Sequence, residues 1–313
     1  MTPWLFAFPG QEALAAELAA GLGVETGALR RHRFPDGESL IVLAADCRNR
    51  DVIVLCTQRD PDDLALPLLF AARTAREFGA RRVGLVAPYL AYMRQDARFH
   101  AGEAVSSVHY AAFLSWTFDW LVTVDPHLHR HPDLREMFTI PAQHVSAMPC
   151  IAAWIRANVR DALLVGPDAE SAQWVRDAAE RAGVPFVVLE KHRRGDRDVA
   201  VSLPDPAILR GRTPVLVDDI ASSGRTLIET VGQLLRLGAA APVCVVVHGI
   251  FADGADSALL AAGAARVVSC NTIPHATNAI DVAGVLLPAI RVLQAAGPDG
   301  DPSEPGLDSR RIG

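Results

Sequence analysis

The sequence lacks the features of several specialised classes of protein, and cysteine pairing is the first of these absences. Its 313 residues include five cysteines, which are scattered along the chain. Scattered cysteines argue against a disulfide framework and a cysteine-based zinc site, and they favour a reducing compartment. We therefore expect a cytoplasmic protein. The cysteines are Cys47, Cys56, Cys150, Cys244 and Cys270.

Long apolar runs and a surplus of basic residues are also missing. No stretch approaches the roughly 18 uninterrupted apolar residues of a transmembrane helix. The opening stretch, MTPWLFAFPGQEAL, lacks the basic segment of a signal peptide. The net charge is −6, so we expect neither nucleic acid nor an anionic membrane as the main partner. Residues 296–313 are rich in proline, glycine and charge, which favours a flexible tail.

The chain does contain a regular alternation of short β-branched runs and longer amphipathic runs. DVIVLCT, RRVGLVAPY and TPVLVDD are typical of buried strands, and the runs between such segments are typical of helices. Continuously apolar strands separated by helices indicate an α/β fold, with a mainly parallel sheet covered on both faces. Hydrophobic residues make up 50% of the chain, which is ample for such a core.

This alternation occurs twice. Residues 51–89 and 213–251 both read strand, loop, helix, Gly-Ala, strand. The glycines that end the two helices lie 159 positions apart, about half the chain. We therefore predict two α/β domains of common ancestry, residues 1–146 and 147–295. The alternative is the general self-similarity of any α/β chain.

One loop in the second half has the composition of an anion-binding site. VLVDDIASSGRTL, residues 215–227, places two acids and several small or hydroxylated residues after a strand, where parallel sheets bind ligands. Backbone amides and the positive end of the next helix favour a phosphate there. The acids suit sugar hydroxyls, or a magnesium ion beside the phosphate. An ordinary helix N-cap at Asp219 or Ser223 is the alternative, and the loop is neither a Walker A motif nor GxGxxG.

This loop resembles the ribose 5-phosphate loop of phosphoribosyltransferases and of ribose-phosphate pyrophosphokinases. The resemblance implies that the amides of residues 222–226 and the nearby hydroxyls hold the 5-phosphate. It also implies that the two acids bind the ribose hydroxyls. The site so implied comprises Asp218, Asp219, Ser222, Ser223, Gly224, Arg225 and Thr226.

Further motifs occur in family order and resemble the pyrophosphokinases, not the transferases. RFPDGE resembles that family's FxDGE turn, RQD its adenine and phosphate contact, and DPH its DLH motif. GPDAES and EKHRR resemble its PD-containing loop and its mobile catalytic loop. The resemblance implies ATP contacts at Phe34, Asp36, Glu38, Arg94, Gln95 and Asp96, metal ligands at His127 and Asp168, and catalytic residues at Lys191 and Arg193.

Each of these motifs has a plainer interpretation as well. RFPDGES suits a β-hairpin turn, and LEKHRRGDRDVAV suits a solvated basic hairpin. His127, His129 and His131 stand at alternate positions, a pattern that would suit zinc. However, no cysteine or fourth ligand follows at a matching spacing.

The resemblance to the pyrophosphokinase family implies two tandem phosphoribosyltransferase-like domains. It also implies a reaction in which the diphosphate of ATP passes to C1 of ribose 5-phosphate, with Mg²⁺ as cofactor. The resemblance also implies a homo-oligomer, with a dimer as the minimal unit, because the FxDGE turn reaches the adenine of a neighbouring subunit. Residues 169–171 and the stretches DDIASSGRT and LHRHPDLREMF are similar to the archaeal-like branch.

Two other functions remain open at the level of the sequence. A phosphoribosyltransferase would need a hood for its base and no ATP site, so the RFPDGE and RQD motifs count against it. A non-catalytic regulatory relative would be expected to lack Lys191, Arg193 or the acid pair, and all of these are present. A Rossmann dehydrogenase is disfavoured because its glycine fingerprint is missing.

Overall fold

The structure is a computed structural model, and two parallel-type sheets with flanking helices dominate it. No helix in the described part of the chain is both long and apolar enough to cross a membrane. The structure describes residues 1–128, 133–169, 171–194, 198–202 and 206–296, without the side chains of 190–194, 198–202 and 206.

The first half of the chain folds around a seven-stranded sheet. Its strands are β1 (Trp4–Ala7), β2 (Glu25–Arg33), β3 (Ser39–Ala44), β4 (Asp51–Leu55), β5 (Arg82–Ala87), β6 (Trp120–Val124) and β7 (Ala142–Val145). Its helices are α1 (Glu12–Leu22), α2 (Pro61–Glu77) and α3 (Ser106–Thr117), followed by a 3₁₀ turn at Leu134–Glu136. The strand order is β3-β2-β1-β4-β5-β6-β7, and every neighbouring pair is parallel except the β2–β3 hairpin.

The second half folds around a six-stranded sheet. The strands are β8 (Ala162–Gly166), β9 (Phe186–Val188), β12 (Thr213–Ala221), β13 (Val243–Gly249), β14 (Arg266–Cys270) and β15 (Asn278–Ile280), with a separate hairpin of β10 (Glu190–Arg194) and β11 (Asp198–Ser202). The helices are α4 (Met148–Asn158), α5 (Ala172–Ala182), α6 (Pro206–Leu209), α7 (Arg225–Arg236), α8 (Ala255–Ala261) and α9 (Ala283–Ala295), with a 3₁₀ turn at Ala252–Gly254. The order β15-β14-β13-β12-β8-β9 is parallel throughout.

Alternate residues of the central strands face different helical layers. Ile53 and Leu55 of β4 pack into a core between the two sheets, which also contains parts of α1, α4, α5 and α9. Val52 and Val54 pack on the opposite face, against α2 and α3. The outer face of the second sheet is covered by α7 and α8. Burial on both faces explains why these strands are apolar at every position rather than at every second one.

The two halves repeat each other in detail. The glycine after α2 has a φ of 85°, and the glycine after α7 has a φ of 76°. In the first half the amide of Ala80 donates to the carbonyl of Ala75 (2.9 Å), and 159 positions later that of Ala239 donates to Leu234 (3.1 Å). Both bonds close a Schellman motif at the same place in a strand-helix-strand unit. The predicted fold class, two tandem α/β domains with mainly parallel sheets, is confirmed.

The last helix packs against the first half of the chain. Helix α9 contacts α1, β6 and β7, and a Cβ atom on Gly21 of α1 would lie only 2.5 Å from Leu287 of α9. The guanidinium of Arg82 donates to the carbonyl of Gln294 at 2.6 Å and to that of Ala296, beyond the end of α9. A helix from the second half thus closes the core of the first.

We propose to divide the domains between residues 146 and 147. All strands of the first sheet lie before this point and all strands of the second sheet lie after it. We call the two parts the first and the second domain. The predicted tail, 296–313, lies outside the described residues from position 297 onward.

Candidate active site

A cleft of about 150 Å³ lies where strands of the two domains end. The first domain contributes residues that follow β5 and β6, and the second contributes residues from the end of β8, from β12 and from α7. Motifs that are far apart in the sequence therefore meet in one cleft. Its lining consists of Arg94, His127, Asp168, Ser171, Trp174, Asp218, Asp219, Ile220 and Thr226.

The two adjacent acids of the second domain line the same cleft but have different partners. Both lie in β12, which continues to Ala221. Asp219 is 7% exposed, and its Oδ2 lies 2.6 Å from Nδ1 of His127 in the first domain. Asp218 is the more accessible of the two, and its Oδ1 accepts from the amide of Asp219 at 3.0 Å.

The acids also differ in their electrostatic surroundings. Burial alone would raise the pKa of Asp219, but the hydrogen bond to His127 and the charge of that ring outweigh it and lower this pKa. Burial and the nearby charges of Asp219 and Asp168 raise the pKa of Asp218 well above its usual range. The cleft thus holds one carboxylate that His127 stabilises and another that a bound cation or sugar hydroxyl would stabilise.

The loop after β12 leads directly into helix α7. Gly224 precedes the helix with a φ of 68°, a left-handed conformation that glycine adopts without strain. Glycine has no side chain to cap the helix, so the first amides of α7 are left to another acceptor. The positive φ fits the predicted cradle, whereas the alternative of a capping Asp219 or Ser223 is wrong, because Gly224 occupies the cap position.

Asp168 follows β8 and is held in a tight turn with Ser171. The hydroxyl of Ser171 donates to the carbonyl of Asp168 at 2.7 Å, and the amide of Ser171 donates to Oδ1 of Asp168 at 3.1 Å. These two bonds fix the turn that begins α5 and keep the carboxylate at the edge of the cleft. Asp168 is therefore in the same cleft as His127, as a shared metal site would require.

The RQD motif follows β5 on a long loop. The amide of Gln95 donates to the carbonyl of Tyr92 at 3.0 Å, and Tyr92 itself has a φ of 66°. Arg94 lines the cleft, while Gln95 is exposed and Asp96 half-buried. Arg94 therefore brings a positive charge to the carboxylates of the second domain.

The RFPDGE motif forms the turn of the β2–β3 hairpin, which agrees with its plainer interpretation. Arg33 pairs with Ser39, the amide of Phe34 donates to the carbonyl of Glu38 at 2.8 Å, and Oδ1 of Asp36 accepts from the amide of Glu38 at 3.1 Å. The turn residues are exposed, and Glu38 lines a different cavity of about 450 Å³. A role in ATP binding stays a prediction.

The remaining predicted residues are described only in part. Lys191 and Arg193 lie in β10, opposite Val201 and Val199 of β11, so the basic segment is a hairpin. Their side chains lie outside the described part of the chain. His129 and His131 also lie outside the described residues.

Asp125 and His248 are two buried polar residues to which the sequence motifs assigned no role. Asp125, after β6, is 1% exposed, and burial raises its pKa to about 7. His248 of β13 is also 1% exposed, and its Nε2 lies 3.1 Å from the carbonyl oxygen of Val124. In the sequence, Asp125 was the first residue of the DPH motif and His248 a polar residue at the end of an apolar run.

The donor set of the cleft fits a hard divalent cation that arrives with its substrate. Among the described residues, no group of three histidine, cysteine or acidic side chains is placed to hold a metal by itself. Mg²⁺ usually keeps several waters and binds through one or two carboxylates together with substrate phosphates. Asp168 and Asp218 offer such carboxylates, and a bound cation would offset the burial and the neighbouring carboxylates that raise the pKa of Asp218.

The domain pattern and the cleft at the ends of parallel strands define a protein of the phosphoribosyltransferase type. Residues 146–284 match the model of the phosphoribosyl transferase domain. Residues 4–116 match the model of the N-terminal domain of ribose phosphate pyrophosphokinase. Together these matches reproduce the tandem arrangement of the two sheets.

Archaeal relatives extend this similarity along most of the chain. A ribose-phosphate pyrophosphokinase from Methanopyrus kandleri is 32% identical over 282 residues, which is 90% of this chain and 96% of the relative. Another from Saccharolobus solfataricus is 32% identical over 243 residues, or 77% of this chain and 82% of that protein. The chain belongs to the ribose-phosphate pyrophosphokinase family of enzymes, which confirms the resemblance inferred from its motifs.

A solved structure agrees with this assignment. The crystal structure of phosphoribosylpyrophosphate synthetase from Mycobacterium smegmatis superimposes with a TM-score of 0.81 at 25% identity. The match covers 95% of this chain and 100% of that one. Both domains and their relative arrangement are therefore similar in the two proteins.

Proposed function

We propose that the protein transfers the diphosphate of ATP to C1 of ribose 5-phosphate, giving 5-phosphoribosyl 1-diphosphate and AMP. The observation that carries the proposal is the cleft in which Arg94 and His127 of the first domain face Asp168 and Asp218 of the second. A transferase domain alone would supply only the sugar-phosphate half of this cleft. The first domain adds the guanidinium of Arg94 and the imidazole of His127 on the opposite side of the cleft.

The sugar is held by the second domain. The amides at the start of α7, together with the hydroxyls of Ser222, Ser223 and Thr226, bind the 5-phosphate, and the helix end adds favourable charge. Asp218 binds a ribose hydroxyl, since its carboxylate lines the cleft next to this cradle. Oδ2 of Asp219 lies against His127, and Oδ1 accepts from the amide of Ile220 at 2.8 Å, so we assign only the remaining acceptor capacity of Oδ1 to the sugar.

The reaction is an in-line displacement at phosphorus. The C1 oxygen of the sugar forms a bond to the β-phosphorus of ATP, the bond from that phosphorus to the bridging oxygen of AMP breaks, and the hydroxyl proton leaves to solvent. Phosphoryl transfer of this kind depends mainly on positioning and charge neutralisation. Arg94 supports both by placing its positive charge at the cleft.

Mg²⁺ is the cofactor that the cleft fits best. Asp168 and Asp218 would hold it through carboxylate oxygens, and His127 would contact the ion or a phosphate. When bound with ATP, the ion supplies positive charge between the phosphates. The role of the protein is to fix these side chains, as the turn of Asp168 with Ser171 does.

The two remaining motifs complete the ATP side. Lys191 and Arg193 of the β10–β11 hairpin neutralise charge on the transferring group and exclude water. The β2–β3 turn, with Phe34, Asp36 and Glu38, binds the adenine of a neighbouring subunit. Its exposure and its place beside another cavity support a role outside the cleft of its own chain.

This arrangement makes a homo-oligomer, at least a dimer, the active form.

We place the protein in the cytoplasm, because all five cysteines are free thiols and four of them are buried, as expected for a reducing compartment.

Phosphorus NMR of the protein with ATP, Mg²⁺ and ribose 5-phosphate tests the function directly. We expect AMP and a diphosphate on C1 to appear together, and only when the sugar is present. Unchanged ATP in the presence of bound ribose 5-phosphate would contradict the proposal. Nucleobases would then be added, to test a transferase.

A further inference from the structure

His248 connects the two domains, although it belongs to none of the motifs above. It lies near the end of β13 in the second domain, and its ring centre is 5.0 Å from that of Tyr89 in the first. Its Nε2 lies 3.1 Å from the carbonyl oxygen of Val124 and 3.2 Å from that of Asp125. A buried side chain of one domain therefore contacts the backbone of the other where β6 ends.

The hydrogen-bond pattern determines which nitrogen of His248 carries the proton. Carbonyl oxygens only accept, so the nitrogen that faces two of them must be the donor, Nε2–H. Burial lowers the pKa of His248 to about 4, so near pH 7 the ring is neutral and Nδ1 is an acceptor. The single hydroxyl proton of Thr272 faces both Nδ1, at 2.9 Å, and the carbonyl oxygen of Val247, at 2.7 Å.

Thr272 joins His248 to the first domain a second time. Its hydroxyl also lies 2.7 Å from the carbonyl of Val247, and its own carbonyl accepts from the hydroxyl of Thr57 in the first domain. Thr272 thus contacts one side of the imidazole, while the carbonyl oxygens of Val124 and Asp125 alone require the donor on the other side, at Nε2.

The backbone that this donor holds is itself unusual. Asp125 has a φ of 31°, a conformation that residues other than glycine rarely adopt. Such a conformation persists only where the surroundings impose it. The amide of Asp125 donates to Val145 (2.9 Å), and its carboxylate accepts from Ala147 (2.7 Å). The hydrogen bond from Nε2 of His248 to the carbonyl oxygen of Asp125 adds a restraint that comes from the second domain.

His127 is only two residues further along this restrained backbone. Its Nδ1 must lie 2.6 Å from Asp219 for the bond that links the domains inside the cleft. Any rotation of the Asp125 peptide therefore moves the imidazole of His127 away from that carboxylate. Two contacts with the second domain, one buried and one in the cleft, fix the same turn.

We propose that His248 is a positioning residue: its Nε2–H holds the carbonyl groups of Val124 and Asp125, and so places His127 against Asp219. The placement of His127 against Asp219 is a property of the free protein. Only the expected effect on kcat rests on the proposed function.

Three substitutions separate positioning from simple loss of structure. In His248→Gln the side-chain amide nitrogen lies about as far from the backbone as Nε2 of histidine, so a donor for the two carbonyl oxygens is kept. In His248→Asn the amide nitrogen lies only about as far from the backbone as Nδ1, so the donor for these oxygens is lost. Thr272→Val removes the hydroxyl from the same buried cluster but leaves Nε2 of His248 in place, which makes it the matched control.

Long-range ¹H–¹⁵N NMR of the His127 ring in the free protein is the first readout. We expect one sharp signal for a proton held on Nδ1 of this ring in the wild type, in His248→Gln and in Thr272→Val. In His248→Asn we expect this proton to exchange and its signal to broaden or disappear. An unchanged His127 spectrum in His248→Asn, or an equal change in Thr272→Val, would overturn the proposal.

Steady-state kinetics with ATP and ribose 5-phosphate is the second readout. Displacing a reacting group by about an ångström costs up to about 100-fold in rate, so we expect kcat of His248→Asn to fall roughly 10- to 100-fold. The KM for ribose 5-phosphate should change less than about twofold, because the cradle lies in the second domain, and His248→Gln should restore kcat. A parallel loss of kcat in the Gln and Asn variants would refute positioning. If the wild type lacked activity, the proposed function would fail while the NMR result would still decide this inference.

Discussion

Asp218 and Asp219 are neighbours in the sequence but have different physical tasks. Asp219 is buried and paired with His127, so its negative charge is compensated inside the protein. Asp218 lines the cleft with its pKa raised by burial and by two other carboxylates. The free protein therefore tolerates an unfavourable carboxylate where a ligand is to bind, which is a common cost of a functional site.

The substitution Asp218→Asn should stabilise the protein and weaken sugar binding. A carboxyl group whose pKa is higher in the folded than in the unfolded protein stabilises the fold fully only below its pKa in the unfolded protein. This contribution is lost as the pH rises through its pKa in the folded protein. Asparagine does not ionise, so the free energy of unfolding of Asp218→Asn should exceed that of the wild type by more at pH 8 than at pH 4. A hydrogen bond to a charged group is worth about 1.5–3 kcal/mol, so the Kd for ribose 5-phosphate should rise roughly 10- to 100-fold.

Urea unfolding at both pH values and calorimetric titration with ribose 5-phosphate measure these two effects. Glu229→Gln is the control, because it removes one acid from the exposed side of α7. A Glu229→Gln variant with the same loss of affinity would show that overall charge, not Asp218, governs binding.

At the scale of single elements, the start of α7 depends on one glycine. Gly224 has a φ of 68°, and an alanine Cβ would meet its nearest neighbour, Ala255, at an ordinary 3.4 Å. Strain, not crowding, is therefore the cost of Gly224→Ala, about 1–2 kcal/mol for a side chain in the left-handed region. Because this residue lies within the cradle of residues 222–226, the strain should also disturb phosphate binding.

Gly238→Ala is the matched control at the other end of the same helix. Gly238 has a φ of 76°, and a Cβ added there would meet nothing within 4 Å. Thermal unfolding should show a similar loss of stability in both variants. Only Gly224→Ala should raise the KM for ribose 5-phosphate; an equal rise in Gly238→Ala would argue against the cradle.

The β10–β11 hairpin carries the predicted catalytic cations two residues apart. Lys191 and Arg193 pair with Val201 and Val199 of β11, and Arg194 pairs with Asp198. Cations that stabilise phosphoryl transfer contribute roughly 10³–10⁵ in rate. We expect Lys191→Ala and Arg193→Ala each to lower kcat by that order while the Kd for ribose 5-phosphate stays unchanged. Stopped assays of AMP formation check this, and Arg194→Ala, as control, should retain kcat within about threefold.

At the scale of the whole molecule, apolar runs predicted the central strands because both faces of each sheet are buried. DVIVLCT and TPVLVDD correspond to β4 and β12, and the motifs that follow such strands meet in one cleft. By contrast, the charged strand β2, ETGALRRHR, has no apolar run, and its mostly exposed residues gave no signal.

The contacts between the two domains could not be predicted from the sequence. His248 ends an apolar run that predicts only a strand, and Asp219 reads as a sugar ligand next to Asp218. Their partners, Val124 and His127, are about 90 to 125 positions away. Such pairings arise only when two sheets pack together, because no local pattern specifies which strand ends will face each other.

The proposed assembly makes a prediction that a monomer could not satisfy. If the β2–β3 turn completes the ATP site of a neighbouring subunit, each active site combines the turn of one chain with the hairpin cations of the other. Phe34→Ala and Lys191→Ala should each inactivate the enzyme when present alone. In a mixed dimer, the Phe34→Ala chain supplies an intact Lys191 and its partner supplies an intact Phe34, so one of the two sites is restored.

Coexpression of the two variants with different affinity tags tests this arrangement. An equal mixture of dimers contains half heterodimers, each with one intact site, so total activity should recover to about one quarter of the wild type. Doubly purified heterodimers should recover about one half, since one of their two sites is intact. If turn and cations belonged to the same chain, neither site of a heterodimer would be intact and no activity would return. The control pair, Lys191→Ala with Arg193→Ala, should remain inactive, because both changes fall on the same side of every shared site.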